Sequence, residues 1–283
     1  MPDGTEGFST APSLMVPCNA TDDTADSYPP CVAAHKKRGF FVHVKQGFDN
    51  TKPSKVIYEV PQCGDTSKAQ GGNAAFPYQN VDGASVQVIL VGLEYSHAPA
   101  CFDHENPKSN DLPYFGLLHH YIEDNFCVDK THEYLAGTGA ASEVGNQMTC
   151  AYPDVLHAVL ISGGSEPTSL PTCLSGHPVA GLFVHDISDT NNTYISALPG
   201  CSRLLQQNGC TTTNCNPADT TTTTPVTVPP GLGTPISLLC VQFNGCPANG
   251  QVTWCKSAIY NSGHSVPNTS WIGKFFWDFM NKY

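Results

Sequence analysis

Five small residues, Gly137-Thr138-Gly139-Ala140-Ala141, stand between a short apolar stretch and a helical one. A strand that turns sharply into a helix needs small residues there, because the two elements approach closely. Turns of this kind also carry chemistry. The pattern Gly-x-Ser-x-Gly lifts a serine hydroxyl above a sheet, where a histidine takes its proton and the oxygen attacks an acyl carbon. In this chain Gly137 opens the pattern and Ala141 closes it with another small residue. Gly139 stands where the serine would be. The turn that presents a nucleophile is there, and its hydroxyl is not.

The elements needed to position such a turn can be read around it. Residues 134–136 form the strand before it and residues 142–152 the helix after it. Residues 158–162 form a second apolar strand, closed by Gly163 and Gly164. Strand, turn, helix, strand is a parallel βαβ unit. Upstream, residues 39–44, 55–60 and 85–92 read as strands, the last nearly all apolar in its second half, as a buried parallel strand should be. Residues 112–125 place Phe115, Leu118, Tyr121 and Ile122 at helical spacing. Downstream, a buried strand at 179–185 and a helix at 196–207 follow, and an aromatic helix at 271–279 closes the chain. The predicted class is α/β with a mostly parallel sheet flanked by helices.

Composition sets the limits. The 283 residues are 40% hydrophobic, enough for one sizeable core, so residues 36–283 are expected to form one domain. Residues 1–35 read as an N-terminal extension, stapled by Cys18 with Cys31. The Thr/Pro-rich stretch at 211–235 reads as a surface excursion or hairpin, because apolar sequence resumes at Ile236 and the remainder of the chain is too short for another domain. A net charge of −11 argues against nucleic acid or an anionic membrane as partner. No apolar run spans a bilayer. No signal peptide is visible at Met1-Pro2-Asp3-Gly4, so the numbering is expected to start on a mature or recombinant form.

Thirteen cysteines without facing Cys-x-x-Cys pairs favour disulfides in an oxidising compartment over a zinc site. The cluster Cys201, Cys210, Cys215, Cys240, Cys246 and Cys255 is expected to pair largely within itself. The odd count leaves at least one thiol over. Sequons at Asn19, Asn191 and Asn268 fit secretion. No cofactor is expected, and no metal site either. The eleven histidines form no His-x-x-x-His or His-Glu-x-x-His pattern, and His119 and His120 are adjacent and should diverge on a helix.

In order along the chain, several features resemble the secreted feruloyl-esterase and poly-3-hydroxybutyrate-depolymerase group of α/β-hydrolases. They are Cys101-Phe-Asp103, Asn125-Phe-Cys-Val-Asp129, Cys150-Ala-Tyr-Pro-Asp154, His185-Asp-Ile-Ser-Asp189, and Gly263-His264 before the aromatic helix. The resemblance covers about residues 36–283. It implies the α/β-hydrolase fold, chain order Ser, Asp, His, and ester hydrolysis on plant cell-wall polysaccharide or polyester. It places Asp189 as the triad acid, His264 as the base and Gly139 at the nucleophile position. The bland alternatives are a turn-forming Asp and a loop His. The oxyanion donors fall on Cys63, Gly64 and Ala140. Here the chain departs again: the family's His-Gly-Cys-Gly is Pro61-Gln62-Cys63-Gly64, and proline has no N–H to donate.

A histidine with no hydroxyl to deprotonate forms no acyl-enzyme. Ser142, one helical turn past Gly139, should lie too deep to replace the missing serine, and Thr138 and Ser162 are weaker candidates. Very weak or absent esterase activity is therefore expected. The alternative is a noncatalytic module that binds glycan, aryl ester or protein in the retained cleft. Tyr95, Phe102 and Trp254 could stack on sugar or phenolic rings there, or could equally be core packing.

Overall fold

In the computed structural model the described residues are 7–10, 14–17, 35–38, 40–44, 48–60, 63, 88–93, 102, 111–167, 170, 173, 176–227, 238–257 and 270–283, with side chains from residue 40 on except at 90 and 270–274. The parallel part of the main sheet is built from β5 (Ser54–Val60), β6 (Val88–Leu93), β7 (Val128–Thr138), β8 (Ala158–Ser162), β9 (Ala180–Asp186) and β12 (Val252–Ser257). Their spatial order is β6-β5-β7-β8-β9-β12, every neighbouring pair parallel. Antiparallel strands close both sides. On one side β4 (Phe40–Val44) pairs with β6, and β1 (Gly7–Thr10) with β4. On the other, β11 (Leu239–Phe243) pairs with β12, and β10 (Thr223–Val226) with β11. Strands β2 (Leu14–Pro17) and β3 (His35–Arg38) form a separate antiparallel pair.

The alternation of side chains along the strands divides the core in two. Leu135, Val159, Ile161 and Phe183 face one way. They pack with α1 (Asp111–Asn125), α2 (Ala140–Ala151) and α3 (Tyr194–Gln207), which contribute Leu118, Val144, Met148 and Leu204 among others. Tyr134, Ala136, Ala158, Leu160 and Leu182 face the other way, against Phe276, Trp277 and Met280 of α4 (Ser270–Met280). Helices on both faces of a parallel sheet explain why β8 and β9 are buried along their whole length. The architecture is that of the α/β-hydrolase fold.

The predicted elements of the core stand within a few residues of their expected positions. Strand β7 is longer than expected because it begins in the polar run Asp129-Lys130-Thr131-His132-Glu133, which carries no apolar signal. Strands β11 and β12 were not expected as strands. The 211–235 excursion supplies β10, which lies antiparallel to β11.

The expected cysteine cluster pairs within itself: Cys201 with Cys215, Cys210 with Cys246, and Cys240 with Cys255. Cys150 joins Cys173, tying the end of α2 to the loop after β8. Cys63 is also disulfide-bonded. Among the described residues Cys127 is the free thiol. Cys18, Cys31 and Cys101 lie outside them. No helix among the described residues is long and apolar enough to cross a membrane.

Candidate functional site

The carboxyl edge of the sheet is set by register. Thr138 ends β7 opposite Ser162 of β8, and Ser162 lies opposite Val184 of β9. One residue beyond Thr138 the chain turns at Gly139, with φ 61° and ψ −134°, and enters α2. This positive φ is a region that side chains with a Cβ adopt only under strain, typically of order 1–3 kcal/mol. Gly139 therefore stands at the tip of a sharp strand-to-helix turn on the carboxyl edge, the position expected from the sequence.

The turn is tightly braced. The Gly139 N–H donates to the Ser162 carbonyl at 2.8 Å, and the Ser142 N–H donates to the Gly139 carbonyl at 2.9 Å. The fully buried Ser142 hydroxyl donates to the same Gly139 carbonyl at 2.6 Å, with the Ser162 carbonyl at 3.2 Å. Close approach demands glycine on both flanks. A Cβ on Gly137 would lie 2.7 Å from the Ala141 carbonyl oxygen. A Cβ on Gly164 would lie 2.7 Å from the Gly139 carbonyl oxygen and far inside contact with Ser142 Oγ.

The same edge carries Asp189, just past the end of β9. Its side chain is buried and its Oδ1 accepts the N–H groups of Asn191 at 2.9 Å and Asn192 at 3.0 Å. His185 holds this loop, with Nε2 2.7 Å from the Asn192 carbonyl oxygen and 3.7 Å from Asp189 Oδ2. A hydrogen bond to a carbonyl requires the proton on Nε2. A second set of contacts ties the loop to the turn. Glu143, buried in the first turn of α2, accepts from the Ser165 hydroxyl at 2.5 Å and from Asn192 Nδ2 at 3.3 Å. Asn192 Nδ2 also donates to the Gly163 carbonyl at 3.1 Å. A carboxylate in the first turn of a helix suits the positive end of its dipole. Glu143, Asn192 and His185 were not singled out as site residues from sequence. The cue for Glu143 was an acid two residues into a predicted helix.

The other expected site residues divide as follows. Ala140 is the first residue of α2, so its N–H is among the helix donors that no intrahelical carbonyl accepts. Cys63 lies past the end of β5 and is exposed. Gly64, Tyr95, Pro61, Gln62 and His264 lie outside the described residues. Phe102 and Trp254 are buried in the core cluster, so neither offers a ring face to solvent. The Trp254 ring stacks on Phe183 at 5.7 Å and on His185 at 6.4 Å between centroids. Its large area serves to seat His185 beneath the Asp189 loop. Ser162 and Thr138 are also buried.

His119 and His120 do not diverge on α1 as expected: their ring centroids lie 5.3 Å apart, and both approach Glu123, with His119 Nε2 3.6 Å and His120 Nδ1 4.0 Å from Glu123 Oε2. The His-x-x-x-His and His-Glu-x-x-His patterns leave out an acid three and four residues on, which helical spacing brings to both.

No protein-family model matches the chain. It is similar to the "Probable feruloyl esterase C" of Aspergillus oryzae, with 23% identity over 253 residues, 84% of this chain and 83% of that protein. Its structure is similar to an acetyl xylan esterase from Aspergillus awamori, with a TM-score of 0.64 at 11% identity, over 87% of this chain and 94% of that one. It is also similar to a feruloyl esterase module from Clostridium thermocellum complexed with sinapinate, with a TM-score of 0.53 at 7% identity, over 99% of this chain and 89% of that one. The chain has the α/β-hydrolase fold, and it is esterase-like in the proteins it resembles.

Proposed function

We propose that this chain is a secreted, esterase-like α/β-hydrolase that has lost acyl-enzyme chemistry and keeps its cleft for binding. The observation that carries this reading is Gly139 at the tip of the turn. The backbone there is bent as a nucleophile would require, and no hydroxyl is attached to it. The nearest serine, Ser142, is buried and spends its proton on the Gly139 carbonyl. Pro61-Gln62 in the oxyanion stretch supports loss of catalysis rather than substitution of one residue, since a serine replaced alone would leave that stretch intact.

In this reading Asp189 and His264 are the surviving acid and base. His264 activates at most a water molecule. Removing a triad member leaves on the order of 10³-fold catalysis over water where the oxyanion hole is intact. With both parts altered, turnover falls below that. The ligand class is an ester-linked polysaccharide, aryl ester or polyester, following the esterases that the chain resembles. Disulfides among the described residues support an oxidising, extracellular setting. The test is hydrolysis of methyl ferulate and p-nitrophenyl acetate by the purified chain, beside binding of feruloylated arabinoxylan fragments by calorimetry. Binding without turnover is the expected result. Turnover at rates ordinary for an esterase would overturn the proposal.

A further inference from the structure

A second cluster of reactive groups lies on α1, away from the turn. One ring nitrogen from each of His119 and His120 and a Glu123 oxygen all lie within 4.8 Å of one another. For a metal bound at about 2.1 Å by tetrahedral ligands, the ligand atoms stand roughly 3.4 Å apart. The separations of 3.6 Å and 4.0 Å from Glu123 Oε2 need only small rotamer adjustments to meet that.

What distinguishes this cluster from a chance surface group is how its members are held. His119 is buried, and its other nitrogen, Nδ1, lies 3.1 Å from Glu133 Oε2. Glu133 is buried on β7 and also accepts a hydrogen bond from the Tyr58 hydroxyl of β5 at 2.8 Å. With Nδ1 held by Glu133, Nε2 faces Glu123, where a metal ion would displace the proton from Nε2. A carboxylate behind a ligating imidazole is the arrangement that fixes ring orientation and raises ligand basicity in metal sites. The other Glu123 oxygen, Oε1, is held by Lys130 Nζ at 2.6 Å, which leaves Oε2 directed at the histidines. The Lys130 charge works against a cation and limits affinity. The His120 ring is exposed, so the site opens to solvent.

We infer that His119, His120 and Glu123 form a zinc-binding site on α1, with Glu133 and Tyr58 as its positioning groups. Two imidazole nitrogens and one carboxylate oxygen suit Zn²⁺, and do not suit Mg²⁺ or Ca²⁺, which take oxygen ligands. Three protein ligands leave a fourth position to water. The site is remote from the candidate active site. Glu133 and Gly139 are six residues apart on one continuous strand and its turn, about 20 Å at roughly 3.3 Å per residue. Zinc there ties the turns of α1 together over β5 and β7, and takes no part in ester chemistry.

The test uses the full chain, titrated by calorimetry with ZnCl₂ and separately with MgCl₂ in a non-chelating buffer. Co²⁺ is used as a spectroscopic substitute. Zinc should bind at one class of site, magnesium should not, and Co²⁺ should show the intense visible bands of a tetrahedral nitrogen–oxygen site. His120→Ala and Glu123→Gln alter exposed or half-buried side chains and should fold as the parent does. Each should weaken zinc binding by about ten-fold or more. Parental affinity in either variant, or no zinc binding by the parent, would overturn the inference.

Discussion

Ser142 Oγ lies 2.6 Å from the carbonyl oxygen of Gly139 and donates its hydrogen bond there. The serine nearest in sequence to the missing nucleophile is thus a brace for the turn that would present one. It points into the protein, between the Gly139 and Ser162 carbonyls, and is fully buried. Ser142→Ala should cost about 1 kcal/mol, the usual net value of one such bond, and should leave any residual ester turnover unchanged. Chemical denaturation together with the p-nitrophenyl acetate assay checks both. Loss of turnover would make Ser142 the nucleophile.

Gly164→Ala should be more damaging. Its Cβ would collide with Ser142 Oγ and lie 2.7 Å from the Gly139 carbonyl oxygen. Overpacking of this kind costs typically 1–3 kcal/mol, and more where backbone is the obstacle. Adding Ser142→Ala removes the hydroxyl clash and leaves the backbone one. The double variant should therefore recover part of the loss, which thermal denaturation of the three proteins would show.

Glu59 sets a pH dependence. It is buried on β5, and burial pushes its pKa from 4.5 up to about 8. Between those values the folded chain keeps a proton that the unfolded chain has released. Its contribution to stability therefore falls as pH rises from about 4.5 to 8, by roughly 1.4 kcal/mol per pH unit, and levels off above. Glu59→Gln removes that term. The stability of the variant relative to the parent should be greater at pH 8 than at pH 5, measured by urea denaturation. An equal difference at both pH values would mean that Glu59 is ionised in the fold.

The disulfides should dominate resistance to unfolding on the β10–β12 side. Cys240 joins Cys255 across the register pair of β11 and β12, closing 15 residues. Replacing both with alanine should cost about 2–4 kcal/mol. Titration of denatured, unreduced protein should find one or a few reactive thiols, Cys127 among them, identified by alkylation and mass mapping. Most of the thirteen cysteines being free would contradict the disulfide framework.

The parts legible in sequence were those where local pattern and tertiary demand agree. The small-residue turn at 137–141 and the apolar strand at 158–162 could be placed because a buried parallel strand and a tight turn each restrict composition. Asp189 was placed by the resemblance, and the structure puts it just past the end of β9. Strand β12 was missed because its sequence, Val-Thr-Trp-Cys-Lys-Ser, reads as a loop between cysteines. Its strand character comes from pairing with β9 on one side and β11 on the other. Trp254 illustrates the same limit. Aromatic size suggests a ligand platform, and only the fold shows it stacked under His185. The Glu123 contact with two histidines was missed for a different reason: it depends on helical spacing together with the rotamers set by Glu133 and Lys130.

The most direct test of the central claim is covalent labelling by a fluorophosphonate probe, read by intact mass. The parent chain should gain no adduct. Gly139→Ser should gain one at residue 139, slowly if Pro61-Gln62 leaves the oxyanion poorly stabilised, since one lost donor costs about 10²–10³-fold. A stoichiometric adduct on the parent, or a folded Gly139→Ser variant that stays unlabelled, would contradict the account of an esterase turn that lacks only its hydroxyl.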